Sequence, residues 1–216
     1  MKVYFISGLG ADCRIFSHIR LPAGFEKVDL NWIPPKKDES LSDYSKRMGE
    51  KINAAEKFAL VGLSMGGMVA LEIAERYSPA ATILVSSISS SSQLPRRYRV
   101  LNALKLHLLL PVAVIKSATI LKRLFTVETK EDKSLLRKII RDMNPAFVKW
   151  GLKAILQWNY TSTPTALWHI HGAKDEILPI KFTKPTHTIP EGSHMLILTN
   201  AKEVNEILAE VLGSVK

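Results

Sequence analysis

The sequence predicts an α/β protein: a mostly parallel sheet of about six strands flanked by helices, with an all-helical insertion near the middle of the chain. Three observations predict this fold class. Short apolar runs alternate with helix-length segments up to residue 86. These runs are continuously apolar, as in strands that are buried on both faces of a parallel sheet. The alternation stops at a serine cluster at 86–92, gives way to leucine-rich helical segments, and resumes after residue 160.

The length and composition suit one domain, or one domain with a sizeable insertion, in a chain of 216 residues. Cys13 is the only cysteine, so an internal disulfide is excluded and a cytoplasmic location is expected. The apolar run at 3–6 is too short for a signal peptide. The most apolar window, 101–121, contains two lysines, a histidine and a proline, so no transmembrane segment is predicted.

The elements of the first half follow from periodicity and end signals. Pro34 and Pro35 end one strand. Ser40 or Ser42 can cap the start of a helix, and Pro79 follows the end of the next one. The predicted elements are strands at 2–6, 28–32, 57–61 and 81–86, and helices at 14–19, 41–54 and 68–76.

The second half resumes the same alternation after the leucine-rich stretch. Apolar runs predict strands at 166–170 and 186–189, and 200–212 is amphipathic at helical spacing. No strand is evident between about residue 94 and residue 160. We therefore expect a core formed by 1–93 and 161–216, interrupted by a helical insertion at 94–160.

The segment Gly62-Leu63-Ser64-Met65-Gly66-Gly67 lies between a predicted strand and a predicted helix. A serine on a tight strand-to-helix turn is the arrangement called a nucleophile elbow. The strained turn requires neighbours without side chains, and Gly62 and Gly66 meet that requirement. The context therefore favours a nucleophilic serine over a chance match to a short motif.

A serine hydroxyl becomes a good nucleophile only when a base removes its proton, and that base is oriented by a carboxylate. Two of the six histidines lie on predicted helices and two within predicted strands, where packing is the expected role; these are His18, His107, His169 and His187. The other two, His171 and His194, follow strands.

Asp175 and His194 both occupy loops at the expected carboxyl edge of the sheet. Asp175 follows a strand and a glycine turn, and His194 follows the next strand and a Gly-Ser turn. In open α/β sheets, ligand-binding and catalytic residues lie at this edge. The order Ser64, Asp175, His194 also fits a catalytic triad on such a scaffold.

Over nearly its whole length the sequence resembles the α/β-hydrolase superfamily. The resemblance rests on four motifs in the expected order: Ser7-Gly8-Leu9-Gly10, the elbow at 62–67, His171-Gly172-x-x-Asp175-x-x-x-Pro179, and Gly192-Ser193-His194. It implies an α/β-hydrolase fold that begins at what corresponds to the third strand of the family, and a cap formed by 94–160 over the active site.

The same resemblance implies the roles of the site residues. Ser64 would be the nucleophile, His194 the general base and acid, and Asp175 the carboxylate that orients His194. The backbone N–H groups of Met65 and Leu9 would form the oxyanion hole. The family often has His-Gly where this chain has Ser7-Gly8; since the donor is a backbone N–H, this difference changes the support of the oxyanion hole without removing it.

These residues predict a serine hydrolase, a carboxylesterase or thioesterase, that cleaves a small-molecule ester or thioester through an acyl-enzyme. The alternatives are a lyase or acyltransferase using the same triad, or a ligand-binding or sensor protein with negligible turnover. No metal site or cofactor is predicted, because neither metal-ligand spacing nor a glycine-rich phosphate loop is present in the sequence. The sequence does not fix the oligomeric state.

The formal net charge of +10 is concentrated in the predicted insertion. Residues 95–160 contain 14 Lys and Arg against 4 Asp and Glu, while the other 150 residues carry 16 of each sign. Three interpretations stay open: solvated outer faces of helices, attraction of an anionic substrate, or weak peripheral contact with an anionic membrane. Nucleic-acid binding is disfavoured, because no recognised motif accompanies the charge.

Overall fold

A computed structural model describes residues 1–103, 127, 129–162 and 164–215. Six parallel strands form one sheet in the order β2-β1-β3-β4-β5-β6. The strands are β1 (Lys2–Ile6), β2 (Glu26–Asp29), β3 (Phe58–Leu63), β4 (Ala81–Val85), β5 (Leu167–Gly172) and β6 (His187–Ile189). The predicted fold class, a mostly parallel six-stranded sheet flanked by helices, is confirmed.

Seven α-helices lie among the described residues. They are α1 (Leu41–Gly49), α2 (Met65–Tyr77), α3 (Arg96–Ala103), α4 (Lys130–Asp142), α5 (Pro145–Gln157), α6 (Leu196–Thr199) and α7 (Ala201–Ser214). Short 3-10 helices occupy Cys13–Phe16, Ser91–Gln93 and Ile180–Phe182. In this part of the chain no helix is long and apolar enough to cross a lipid bilayer.

The hydrophobic core forms two layers, one on each face of the sheet. Successive residues of a strand point to opposite faces, so Val3 and Phe5 pack with α7 while Tyr4 and Ile6 pack with α1 and α2. Strands β3 and β4 lie in the middle of the sheet and are buried at every position. Their continuous apolar runs are the pattern expected of strands covered on both faces.

Two predicted elements end earlier than the sequence suggests. The helix predicted over 41–54 begins at Leu41, capped by Ser40 whose Oγ accepts from the N–H of Asp43 at 3.1 Å, but it ends at Gly49. Asn53 then forms a local turn in which its Oδ1 accepts from the N–H of Ala55 at 3.2 Å, an alternative to helix that asparagine favours.

The second such element is the strand predicted at 28–32, which the structure has as Glu26–Asp29 on the sheet edge. Pairing with β1 ends at Asp29 opposite Phe5. Beyond it Trp32 turns inward, and its Nε1–H donates to the carbonyl of Ala11 at 2.9 Å. Similarly, the short helix expected at 14–19 is a 3-10 helix over Cys13–Phe16.

The connection between β4 and β5 contains the predicted insertion. Helices α3, α4 and α5 fall within it, and residues 104–126 and 128 of the predicted 94–160 lie outside the described part of the chain. Helix α5 is tied to the core by Trp150, whose Nε1–H donates to the carbonyl of Glu39 at 2.9 Å. Just after α5, Trp158 donates from Nε1 to the buried carboxylate of Glu72 on α2 at 2.8 Å.

Helix α4 has one buried and one basic face. Leu136 and Ile139 pack into the core, on the layer that also contains α7. Five basic side chains of this helix are exposed, away from that buried face: Lys130, Lys133, Arg137, Lys138 and Arg141. Part of the concentrated positive charge of the sequence is therefore on the outer surface of this helix.

Candidate active site

Ser64 is the single residue between the end of β3 and the start of α2. Its φ of 52° and ψ of −119° are conformations that a residue with a side chain rarely adopts. The turn is held by its own backbone: the N–H of Ser64 donates to Val85 at 2.9 Å, and its carbonyl accepts from Gly67 at 2.9 Å. The hydroxyl of Ser87 donates to the same carbonyl at 2.7 Å.

The glycines around Ser64 are required by close approaches of the main chain. A Cβ at Gly62 would overlap the carbonyl of Gly66, and a Cβ at Gly66 would overlap the carbonyl of Ile6. A Cβ at Gly67 would meet the side chain of Ser87. Positions 62 and 66 therefore need a residue without a side chain, as expected, and position 67 has the same requirement.

His194 connects Ser64 with Asp175. The Nε2 of His194 is 3.1 Å from the Oγ of Ser64, and its Nδ1 is 2.8 Å from the Oδ2 of Asp175. A carboxylate only accepts, so the Nδ1–H of His194 donates to Asp175 and Nε2 offers a lone pair to the Ser64 hydroxyl. Asp175 is 3% exposed and His194 is 5% exposed, so the structure joins these three side chains in a largely dehydrated line.

The carboxylate of Asp175 is surrounded by donors. Its Oδ1 accepts from the N–H groups of Ile177 at 2.8 Å and Leu178 at 2.9 Å. Burial alone would raise the pKa of Asp175, but His194, the Leu178 N–H and His171 together hold that pKa below its usual value. Asp175 is therefore ionised at neutral pH despite its burial.

The loop after β5, which contains Asp175 and is called the acid loop, meets the loop after β6, which contains His194 and is called the base loop, through glycines. Gly172, at the end of β5, and Gly192, two residues before His194, lie so close that a Cβ on Gly172 would overlap the carbonyl of Gly192. The N–H of Lys174 also donates to the carbonyl of Gly192 at 2.9 Å. The spacing between Asp175 and His194 is thus fixed by main-chain contact.

The loop after β1 lies beside the elbow. A Cβ on Gly8 would be 3.5 Å from the Cβ of Ser64. Among the described residues no acceptor is found for the N–H of Leu9, and Met65 is the first residue of α2, where an N–H has no acceptor within the helix. Helix α5 lies against the side chains of both residues at Gly151, where a Cβ would overlap Leu9 and lie 3.2 Å from the Sδ of Met65.

The remaining histidines fall into different environments. His18 pairs with Asp132 of α4 at 2.7 Å, and His107 lies outside the described residues. His187 is half-buried and contacts the hydroxyl of Thr186. His169 and His171 are two residues apart on β5, so they lie on the same face of the strand, and both are buried.

Two interactions that support the site were not predicted from the sequence. One is the hydrogen bond from the hydroxyl of Ser87 to the carbonyl of Ser64, and the other is the contact of His171 with the acid loop. The available signals were the position of Ser87 just past the carboxyl end of the strand next to β3, and the i, i+2 spacing of the two histidines. Within the described ranges, no group of three or more His, Cys, Asp or Glu side chains could hold a metal ion.

Comparison with known proteins adds a family and a set of structural neighbours. The sequence profile described as "Alpha/beta hydrolase family" matches residues 3–207. No curated protein matches the sequence.

Solved structures with the same fold cover almost the whole chain. A thermophilic esterase from Thermogutta terrifontis, solved with malate bound, superposes with a TM-score of 0.73 at 17% identity, covering 100% of this chain and 90% of its own. A lipase-esterase related protein from Clostridium acetobutylicum gives 0.72 at 16% identity, over 96% and 92% of the two chains. A bromoperoxidase from Bacillus anthracis gives 0.67 at 15% identity, over 98% and 91%.

Proposed function

Because the chain belongs to the alpha/beta hydrolase family, we propose that it is a serine hydrolase that cleaves a carboxylic ester or thioester of a small molecule. The observation that carries the proposal is the pair of contacts made by His194, with Ser64 Oγ at 3.1 Å and Asp175 Oδ2 at 2.8 Å. In this proposal Ser64 is the nucleophile, His194 the general base and acid, and Asp175 the orienting carboxylate.

The first step is attack on the substrate carbonyl. As the Oγ of Ser64 bonds to the carbonyl carbon, its proton moves to Nε2 of His194 and the carbonyl π electrons move to oxygen. The imidazolium so formed is stabilised by the adjacent ionised Asp175. The low pKa of Asp175 supports this role, since the carboxylate stays charged and does not take the proton itself.

The negative oxygen of the tetrahedral intermediate requires preorganised donors. The N–H groups of Leu9 and Met65 are the candidates, because the loop after β1 lies beside Ser64 and Met65 starts a helix whose N-terminus favours negative charge. Loss of one such donor typically costs about 2.7–4 kcal/mol of transition-state stabilisation.

Collapse of the intermediate gives an acyl-enzyme. The bond to the leaving alcohol or thiol breaks, and His194 returns its proton to that group. Water then attacks the acyl carbon while His194 takes a proton from it. The second tetrahedral intermediate expels the Oγ of Ser64, which regains its proton from His194, and the carboxylic acid leaves.

We also propose that the insertion, residues 94–160, forms a cap that shapes the acyl pocket. The approach of Gly151 on α5 to the side chains of Leu9 and Met65 supports this proposal, because it places a helix of the insertion beside the two residues whose N–H groups are the candidate oxyanion donors. The basic outer face of α4 is consistent with attraction of an anionic ester, which the substrate panel below includes.

An activity-based fluorophosphonate probe tests the nucleophile. We expect the wild type to be labelled and Ser64→Ala to be unlabelled. Ser162→Ala is the matched control, because Ser162 lies on the surface and bonds Glu75; this variant should be labelled like the wild type. A panel of neutral and anionic p-nitrophenyl esters and thioesters of graded acyl length then identifies the preferred substrate.

The outcomes separate the alternatives. A wild type that is not labelled and that hydrolyses none of the esters would refute the hydrolase assignment and favour the ligand-binding protein. Labelling at Ser64 with acyl transfer to an added alcohol faster than to water would instead support an acyltransferase. For the steering of anions, kcat/KM for anionic esters should fall with salt while that for neutral esters does not.

A further inference from the structure

The buried histidine pair on β5 has no part in the proton transfers described above. His169 is 2% exposed and His171 is fully buried, and both rings point to the same face of the strand. The Nε2 of His169 is 3.0 Å from the Nδ1 of His171. The Nε2 of His171 is 2.7 Å from the carbonyl of Leu178, in the loop that follows Asp175.

The hydrogen bonds assign one tautomer to each ring. A carbonyl only accepts, so His171 carries its proton on Nε2 and donates it to Leu178. Its Nδ1 is then a lone pair, which accepts from the Nε2–H of His169. Burial lowers the pKa of His169 to about 3 and also lowers the pKa of His171. Both rings are therefore neutral at physiological pH, with fixed tautomers.

His171 contacts the acid loop in two ways. Leu178, whose carbonyl accepts from His171, donates its own N–H to the Oδ1 of Asp175 at 2.9 Å. The Nε2 atom of His171 also lies 3.4 Å from the Oδ2 of Asp175, the oxygen that accepts from His194. One imidazole thus bonds the residue whose N–H holds the carboxylate and also presents its positive edge to the carboxylate.

We propose that His171 is a positioning residue for Asp175, held in the required tautomer by His169, and that it keeps the carboxylate aligned with His194 during turnover. The proposal rests on the proposed function, since it concerns the same triad. It assigns a role to an otherwise unexplained polar pair in the core, where an apolar side chain would avoid the cost of burying imidazoles.

The alternative is that the two rings only fill space. Packing alone predicts that a change at position 171 alters stability and the fraction of folded protein, but not the turnover of each competent site. Positioning predicts a lower kcat per labelled Ser64, an unchanged KM, and recovery by a side chain that restores the donor.

The experiment compares two substitutions of His171. Leu removes the donor, whereas the amide of Gln can place an N–H near the position of Nε2. We expect H171L to lower kcat about threefold to tenfold, the range for the loss of one hydrogen bond to an uncharged acceptor, with KM within about twofold. H171Q should recover most of the loss. Active sites are counted by fluorophosphonate titration, and H187L on β6 is the histidine control that should retain the wild-type kcat.

A second comparison shows whether the effect passes through Asp175. In a D175N background, H171L should lower kcat by less than about twofold further, because the carboxylate that it positions is already gone. If H171L does not fold, H171N replaces it, since its shorter amide does not reach Leu178.

The two proposals fail in different ways. An inactive and unlabelled wild type would overturn the hydrolase assignment. An active wild type with an equally active H171L, or an H171Q as impaired as H171L, would overturn the positioning role alone. If H171L lowered kcat by the same factor in the D175N background as in the wild type, the positioning role would also be overturned.

Discussion

The buried histidines make the stability of the fold dependent on pH in a defined direction. In the unfolded chain His169 takes up a proton below its ordinary pKa of 6.5, whereas in the folded protein the pKa is about 3. Between these values the unfolded state binds more protons, so the free energy of unfolding falls as the pH falls, by about 1.4 kcal/mol per pH unit for one group. His171, whose pKa is also lowered, adds to the fall.

For His169 alone, the loss between pH 7 and pH 5 is about 2 kcal/mol. The perturbation is His169→Gln, which keeps an amide N–H for the Nδ1 of His171 but cannot titrate. The assay is urea unfolding at both pH values, followed by far-UV circular dichroism. The decrease in unfolding free energy should be about 2 kcal/mol smaller in H169Q than in the wild type, and H187Q is the control that should match the wild type.

The reasoning is refuted if H169Q and the wild type lose the same free energy between the two pH values. That result would mean that the ring of His169 is protonated in the folded protein at pH 5, or that it is hydrated there.

One further prediction concerns packing and another concerns a buried hydrogen bond. Gly66→Ala places a Cβ against the carbonyl of Ile6 and should lower the free energy of unfolding by about 1–3 kcal/mol. Gly213→Ala, whose Cβ meets nothing within 4 Å in α7, should raise it by up to about 1 kcal/mol. Thermal and urea unfolding measure both changes, and an equal effect of the two substitutions would contradict the steric argument. Trp158→Phe removes a donor from the buried carboxylate of Glu72 and should cost about 1–3 kcal/mol, a loss that Glu72→Gln should reduce if the charge is its origin.

The sequence predicts the sheet well because its signals are local. A strand covered on both faces is a continuous apolar run, and β3 and β4 appear as such in the chain. The elbow is recognised from the local motif, although only Gly62 is required by an approach within a few residues of Ser64; Gly66 is required by the approach of the main chain to Ile6 on β1. The positions of Asp175 and His194 follow from the rule that parallel strands end at one edge.

Other features depend on contacts between distant segments and leave little trace in the sequence. The end of α1 at Gly49 is followed by a turn around Asn53, whose N–H donates to the hydroxyl of Tyr4 on β1 at 3.3 Å, a contact that the helical periodicity of the segment does not reveal. The contact of His171 with the acid loop needs the register of β5 and the path of the chain at Leu178. The arrangement of the insertion depends on anchors such as Trp150 on Glu39, separated by more than a hundred residues.

The meeting of Gly172 with Gly192 couples the loop that contains Asp175 to the loop that contains His194. Since main chain touches main chain there, the separation of the two loops does not depend on the side chains that surround them. Any side chain at position 172 would have to push the two loops apart, and would thereby lengthen the path from Asp175 through His194 to Ser64. A residue that touches none of the three side chains thus sets the length of the hydrogen-bonded path between them.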